Sequence, residues 1–214
     1  MLFTEFVKLL PKIEKEKLLS RDAHIKMAPL ERISYMDEEN YLDKNPKKAA
    51  VLMLFYPKNE IVHLALIVRN TYPGVHSSQI GFPGGKVELT DANLAETALR
   101  ETHEEVGVHP DKVKIIKTFS EIYIPPSNFL VAPFMGIAHE ELVFIPDHNE
   151  VKKVLEFPVL DFLDDKSITK VTMSTSYASD IEVPAFLVDK YIVWGATAMM
   201  MSELKEVIHS VLTK

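Results

Sequence analysis

The chain has 214 residues, 47% of them hydrophobic and 26% charged, and a formal net charge of -7. That is enough apolar material for one sizeable core, and it argues against disorder, a fibrous protein and general nucleic-acid binding, which neutralises phosphates with Lys and Arg. With no cysteine in the sequence, disulfides, thiolate metal sites and a cysteine nucleophile are excluded.

Residues 1–45 read as an N-terminal helical extension and residues 46–214 as a single domain. In the extension Leu2, Phe3, Phe6, Val7, Leu9 and Leu10 recur at helical spacing, and Pro11 suits the first turn of a second short helix. The plain reading is an amphipathic helix packed on the body of the protein. The sharper one is a contact in a homodimer, or a lid over a site. No apolar run reaches the roughly 18 residues needed to cross a bilayer. Met1 to Leu10 lacks a cleavable signal pattern, and Leu212-Thr213-Lys214 is not a peroxisomal address. A cytoplasmic protein without a membrane partner is expected.

Ala49–Tyr56 and Val62–Arg69 are strand-like runs separated by Pro57-Lys58-Asn59-Glu60, so a hairpin is expected. A Gly/Pro-rich stretch, Tyr72–Gly85, leads to a helix from about Asn93 to Val106. Val113–Ile124 and Val131–Ala138 read as strands around a Pro125-Pro126 turn, and Asn149–Leu155 as a helix. Further strands are expected over Val171–Ile192, and a closing helix over Ala196–Leu212. This alternation implies an α/β sandwich around a mixed sheet.

The helix before Gly107 has two faces. Ala95, Ala98, Leu99, Thr102 and Val106 make one buried stripe, while Glu101, Glu104 and Glu105 cluster at i, i+3 and i+4. Asn93 with Glu96 can cap its start, and Gly107 can close its end. Like charges at this spacing repel by roughly 0.2–0.5 kcal/mol per pair. A solvated acidic face is the plain reading. A hard cation is the alternative, since Mg²⁺ favours carboxylate oxygens. Arg100 is placed to pin one of the carboxylates.

The surrounding residues decide between these. Gly84-Gly85-Lys86, then Arg100-Glu101-Thr102-His103-Glu104-Glu105-Val106-Gly107-Val108, resemble the Nudix box. In that family's pattern Thr102 stands at an apolar position. The earlier glutamate corresponds to Asp91, one residue further from Arg100 than usual, with Glu88 as a substitute. Upstream, Arg69-Asn70 and His76-Ser77-Ser78-Gln79-Ile80-Gly81-Phe82-Pro83-Gly84-Gly85 resemble the signature of coenzyme A pyrophosphatases. So do Pro126-Ser127-Asn128-Phe129 with Pro133, Val183-Pro184-Ala185-Phe186, and Ile192-Val193-Trp194-Gly195-Ala196-Thr197-Ala198. The subfamily's usual Ser, Arg and Gly are Asn70, Gly74 and Ser78 here.

The resemblance implies a Nudix-type α/β/α sandwich and a pyrophosphohydrolase, with Mg²⁺ or Mn²⁺ held by Glu101, Glu104 and Glu105. It implies a catalytic set of these three with Arg100, acting on a small-molecule diphosphate. Coenzyme A or an acyl-coenzyme A is the first substrate reading. Another nucleoside diphosphate derivative (ADP-ribose or a dinucleoside polyphosphate) and an idle nucleotide-binding domain are the competitors. Gly84 and Gly85 would let backbone approach the phosphates, and Arg69 and Lys86 would supply cations to them. The general base is one box glutamate, Glu104 or Glu105, or else Glu150. His76 and His103 read as surface or supporting residues, and Trp194 and Phe186 as core.

Overall fold

The computed structural model describes residues 1–70, 79–174 and 180–214. Among these residues five α-helices, α1 (Phe3–Lys15), α2 (Arg21–His24), α3 (Leu94–Val106), α4 (Val159–Leu163) and α5 (Gly195–Leu212), surround two sheets. The main sheet holds β1 (Lys47–Lys58), β2 (Ile61–Arg69), β3 (Ile80–Gly81), β4 (Gly84–Lys86), β5 (Val113–Thr118), β6 (Ile122–Ile124), β7 (Phe129–Ala138) and β8 (Val151–Pro158). The smaller one is an antiparallel meander of β9 (Ile168–Met173), β10 (Ile181–Val188) and β11 (Tyr191–Trp194).

β1 is the axis of the main sheet. It runs parallel to β7 from Lys47↔Phe129 to Phe55↔Ile137, and antiparallel to β2 and β4, so the sheet is mixed. Its side chains alternate between two cores. Ala49, Met53 and Phe55 join α1 and α5 on one face, while Ala50, Leu52, Leu54 and Tyr56 pack with α3 on the other. The result is the α/β/α layering expected from the sequence.

The β1–β2 hairpin is tighter than the four-residue separator suggests. Pro57 and Lys58 stay in the ladder, and the turn is Asn59-Glu60 alone. Both residues are left-handed (φ 48° and 63°), as a type I′ turn requires.

Three expectations are corrected. α1 runs through Pro11 rather than ending there. An interior proline removes the bond to the Val7 carbonyl at a cost of about 3 kcal/mol. Burying Phe3, Phe6, Leu10 and Ile13, at about 1.5–3 kcal/mol each, offsets it. That apolar face packs within the chain's own core. Residues 151–158 form strand β8, not a helix, because they pair with β2 from His63↔Pro158 to Arg69↔Val151. The i, i+3, i+4 spacing of Val151, Val154 and Leu155 mimics a helix, but the neighbouring strand takes their backbone. Finally, Val113–Ile124 is broken at 119–121 into β5 and β6.

The extension is tied to α5. The buried Glu203 carboxylate accepts from the Ser20 N–H (2.6 Å) and from the N–H and hydroxyl of Ser120 (3.0 and 2.8 Å). Ser202 Oγ donates to the Ala23 carbonyl (2.7 Å). Among the described residues no helix is long and apolar enough to cross a membrane.

Candidate active site

α3 begins where Asn93 accepts the Glu96 N–H (3.0 Å) and ends at Gly107, left-handed at φ 75°. Ala98, Thr102 and Val106 are buried against the sheet, with Ala95 and Leu99 packed partly behind them. Thr102 fits an apolar position because its hydroxyl donates to the Ala98 carbonyl (2.6 Å). This packing fixes which way the glutamates face.

Glu105 points at the sheet and is only 1% exposed. One oxygen accepts the Gly84 N–H (2.8 Å), and the other lies 3.3 Å from the Arg69 guanidinium. Arg69 also donates to the Gly84 carbonyl (2.9 Å). Burial pushes the Glu105 carboxyl up to about 7, against the opposing pull of Arg69 and the Gly84 N–H; Glu101 and Glu150 push it further up. Burial likewise raises Glu101, Arg100 opposes this, and the charges of Glu104 and Glu150 add to the rise. Glu150 therefore belongs electrostatically to the cluster, from a loop ahead of β8 rather than from a helix start. Its backbone carbonyl accepts the Asn70 N–H (2.7 Å).

Arg100 organises the outer half. It grips Asp91 with two nitrogens (2.8 and 3.0 Å), reaches Glu101 (3.1 Å) and Glu104 (2.9 Å), and donates to the Lys86 carbonyl (3.0 Å). Asp91 further accepts from Thr97 Oγ1 and the Glu88 N–H (2.9 and 2.8 Å). The Arg100 guanidinium holds its carboxyl well below the usual range. Asp91 thus anchors Arg100, and Glu88 meets it through its backbone N–H.

β4 needs its glycines for different reasons. Gly84 has φ 147°, and a Cβ there would strike the Ala50 carbonyl oxygen and Val51 Cα. At Gly85 a Cβ would occupy the space of the Glu101 carboxylate. The Glu101 carboxylate therefore lies directly over β4 backbone.

Among the described residues no three His, Asp or Glu side chains already converge into a finished metal cage. The oxygens of Glu101, Glu104 and Glu105 are turned toward Arg100, Arg69 and the Gly84 N–H. Even so, the carboxylates of Asp91, Glu101, Glu104 and Glu105 are met by only two guanidiniums, and the charge of Glu150 adds to the negative side.

On the other face of β1, where Ala49 and Val51 point, a cavity of about 530 Å³ shares Arg69, Gly84, Gly85 and Lys86 with this site. Trp194 is half-buried on its wall, contrary to its reading as core, whereas Phe186 is core. Arg32, buried at 5% exposure, also lines it. Arg32 carries no local sequence signal for this position, whereas Trp194 falls within the 192–198 stretch already singled out. His103 is exposed and its ring meets that of His109, away from the cluster. The expectations for Gly74 and His76 lie outside the described residues.

A family model described as NUDIX domain matches residues 44–174. A Nudix hydrolase NudL of Enterobacter sp. (strain 638) is 34% identical over 164 residues, 75% of this chain and 82% of that protein. The chloroplastic Nudix hydrolase 22 of Arabidopsis thaliana is 28% identical over 204 residues, 92% of this chain and 66% of that protein. Among solved structures, the Nudix hydrolase RenU of M. smegmatis superposes with a TM-score of 0.54 at 16% identity, covering 77% of this chain and 87% of its own. A C. elegans Ap4A hydrolase does so at 0.51 and 15%, covering 78% and 98%. At these identities the structural likeness speaks for the fold alone.

Proposed function

The chain belongs to the Nudix family of pyrophosphohydrolases, and from that premise we propose that it cleaves the diphosphate of coenzyme A or an acyl-coenzyme A. The products would be adenosine 3',5'-bisphosphate and 4'-phosphopantetheine or its acyl derivative. One observation carries the reading. Three of the stretches resembling coenzyme A pyrophosphatases, 79–85, 126–129 and 192–198, contribute to the wall of the cavity beside the box glycines, whereas Val183–Phe186 does not. The Thr197 hydroxyl donates to the Ile80 carbonyl (3.0 Å), tying two of them together. Apolar Ile80, Phe129 and Trp194 together with cationic Arg69 and Lys86 in one cavity wall suit a ligand with both a stacking or aliphatic part and phosphates.

Members of this family generally use divalent cations. An all-carboxylate donor set with excess negative charge fits Mg²⁺ or Mn²⁺ held by Glu101, Glu104 and Glu105. When bound, the cation supplies the positive charge that a diphosphate needs before it can accept a nucleophile. The chain's own groups do the rest. Arg100 and Arg69 hold the box carboxylates in position, and Arg69 with Lys86 offers donors on the cavity side of β4. Gly84 and Gly85 leave the backbone bare for close approach. Glu105 has both oxygens engaged. Removal of a proton from the attacking water therefore falls to the solvent-facing carboxylates, Glu104 (side chain 54% exposed) or Glu150.

The test is an assay of coenzyme A, ADP-ribose and dinucleoside polyphosphates with Mg²⁺, Mn²⁺ or excess EDTA, with products identified by mass. Coenzyme A is expected to be cleaved fastest, only with a divalent cation. Turnover in EDTA would overturn the cation's role, and a faster ADP-ribose reaction the substrate.

A further inference from the structure

Trp194 is the chain's single tryptophan, and it stands half-buried in the wall of the cavity beside the box glycines. A tryptophan taken out of solvent usually has its N–H bonded and its ring packed on another. Among the described residues this indole N–H donates to no acceptor, and the ring meets neither a second aromatic ring nor a cation. The other aromatics of the wall are already used. Phe82 is buried, and the Lys47 ammonium lies 5.9 Å from the centre of the Phe129 ring. Trp194 is thus the aromatic surface that the cavity leaves for a ligand.

Its backbone holds the indole in place. Trp194 ends β11, paired with Ala185 of β10, and Gly195, left-handed at φ 65°, turns the chain directly into α5. A Cβ at Gly195 would meet nothing within 4 Å, so the space beside the indole is open and the glycine serves its backbone angle alone.

One helical turn separates this platform from the box cations. Thr197 stands three residues on, about 5 Å along α5, with its hydroxyl bonded to the Ile80 carbonyl (3.0 Å). At the next residue of β3, Gly81, a Cβ would lie 3.8 Å from Thr197 Oγ1 and 3.9 Å from Arg69 Nε. Arg69 in turn donates to the Gly84 carbonyl (2.9 Å). The first turn of α5 and the Arg69 guanidinium therefore flank one glycine. That arrangement suits a ligand in which a sugar joins a flat ring to a 5'-diphosphate.

We infer that Trp194 is a specificity-determining residue that stacks on the heteroaromatic base of the substrate, so that the nucleoside half enters this cavity and the pantetheine half does not. The inference rests on the substrate being a nucleoside diphosphate derivative, and it deepens the coenzyme A reading by saying which half lies where. Stacking alone accepts any base, because every base has a π-face.

With no other tryptophan in the chain, intrinsic fluorescence reports this position alone. Titration with 5'-AMP in Mg²⁺, where nothing is turned over, should quench the emission saturably, and 4'-phosphopantetheine should leave it unchanged. Calorimetry of both ligands on the wild type, Trp194→Phe and Trp194→Leu, with unfolding midpoints alongside, gives a second readout. Trp194→Leu should weaken 5'-AMP by about tenfold or more, the range of base–aromatic stacking, while Trp194→Phe keeps most of the affinity. Affinity for 4'-phosphopantetheine should be the same in all three. A merely structural tryptophan would weaken both ligands together. Equal quenching by the two ligands, no quenching by 5'-AMP, or an unchanged 5'-AMP affinity in Trp194→Leu overturns the inference. If Trp194→Leu does not fold, the wild-type titrations decide. A chain that binds 5'-AMP on Trp194 yet cleaves no coenzyme A refutes the proposed substrate and leaves the platform standing.

Discussion

Replacing Glu105 by glutamine should make the metal-free protein more stable while abolishing hydrolysis. The Glu105 carboxyl is raised from 4.5 to about 7, chiefly by burial. An acid whose folded-state pKa is raised contributes stability that is fully present below about 4.5 and lost as pH rises through about 7. At about 1.4 kcal/mol per pH unit, the ionised carboxylate costs the fold roughly 3 kcal/mol at pH 8, and under about 1 kcal/mol at pH 5. Glu105→Gln keeps an oxygen for the Gly84 N–H and removes the charge. For a chain of this size, about 3 kcal/mol corresponds to a rise in Tm of roughly 6–12 °C. The assay is thermal or urea unfolding in excess EDTA at pH 5 and pH 8, repeated with added Mn²⁺. The gain should appear at pH 8 and largely vanish at pH 5, and Mn²⁺ should stabilise the wild type more than the variant. A variant less stable than wild type at pH 8, or a gain independent of pH, would refute the account of Glu105 as a destabilised buried anion.

Glu104→Gln should leave the unfolding midpoint within a few degrees, since its side chain is 54% exposed, yet lower hydrolysis about a hundredfold or more. Turnover within a few fold of wild type would mean that the cluster is only a solvated face. The two box glycines should separate in the same measurements. Gly84→Ala forces a Cβ into β1 backbone at φ 147° and should destabilise the fold by several kcal/mol. Gly85→Ala displaces only the Glu101 carboxylate, so hydrolysis should fall with a much smaller loss of stability. Equal stability losses in both would contradict this assignment.

The parts of the molecule legible in the sequence are those set by short-range physics. α3 is readable end to end, because the Asn93 cap, the apolar stripe and Gly107 act within one helix. The same locality put Glu101, Glu104 and Glu105 on one side of it. That Glu105 is buried while Glu104 is exposed depends on β4, which no periodicity reveals. β8 reads as a helix from sequence because Val151, Val154 and Leu155 satisfy a helical period, and only the pairing with β2 decides otherwise. Asp91 is legible as a counterpart of the box's earlier glutamate, but its clamp on Arg100 depends on the loop geometry. Arg32 reaches the cavity through contacts between distant segments, so nothing near it in the chain marks it; Trp194 stands in a recognisable stretch, but a lone aromatic does not reveal which wall it faces.

The anchoring of the N-terminal segment on Glu203 and Ser202 has a consequence for how the chain comes into being. Ser20 and Ala23 are made first, but their partners lie 183 and 179 residues later. At about 5–20 residues per second, ribosomal synthesis leaves the segment waiting roughly 10–40 s for the helix that holds it. During that interval α1 can settle on the β1–β2 hairpin, since the Phe3 N–H bonds to the Glu60 carbonyl. The stretch from Ser20 to Ala28 must wait for α5, and so must the part of the cavity wall that Thr197 and Met200 supply, while Arg32 can already dock on the Tyr123 carbonyl of β6. The cavity is therefore closed last, by the joining of the two ends of the chain.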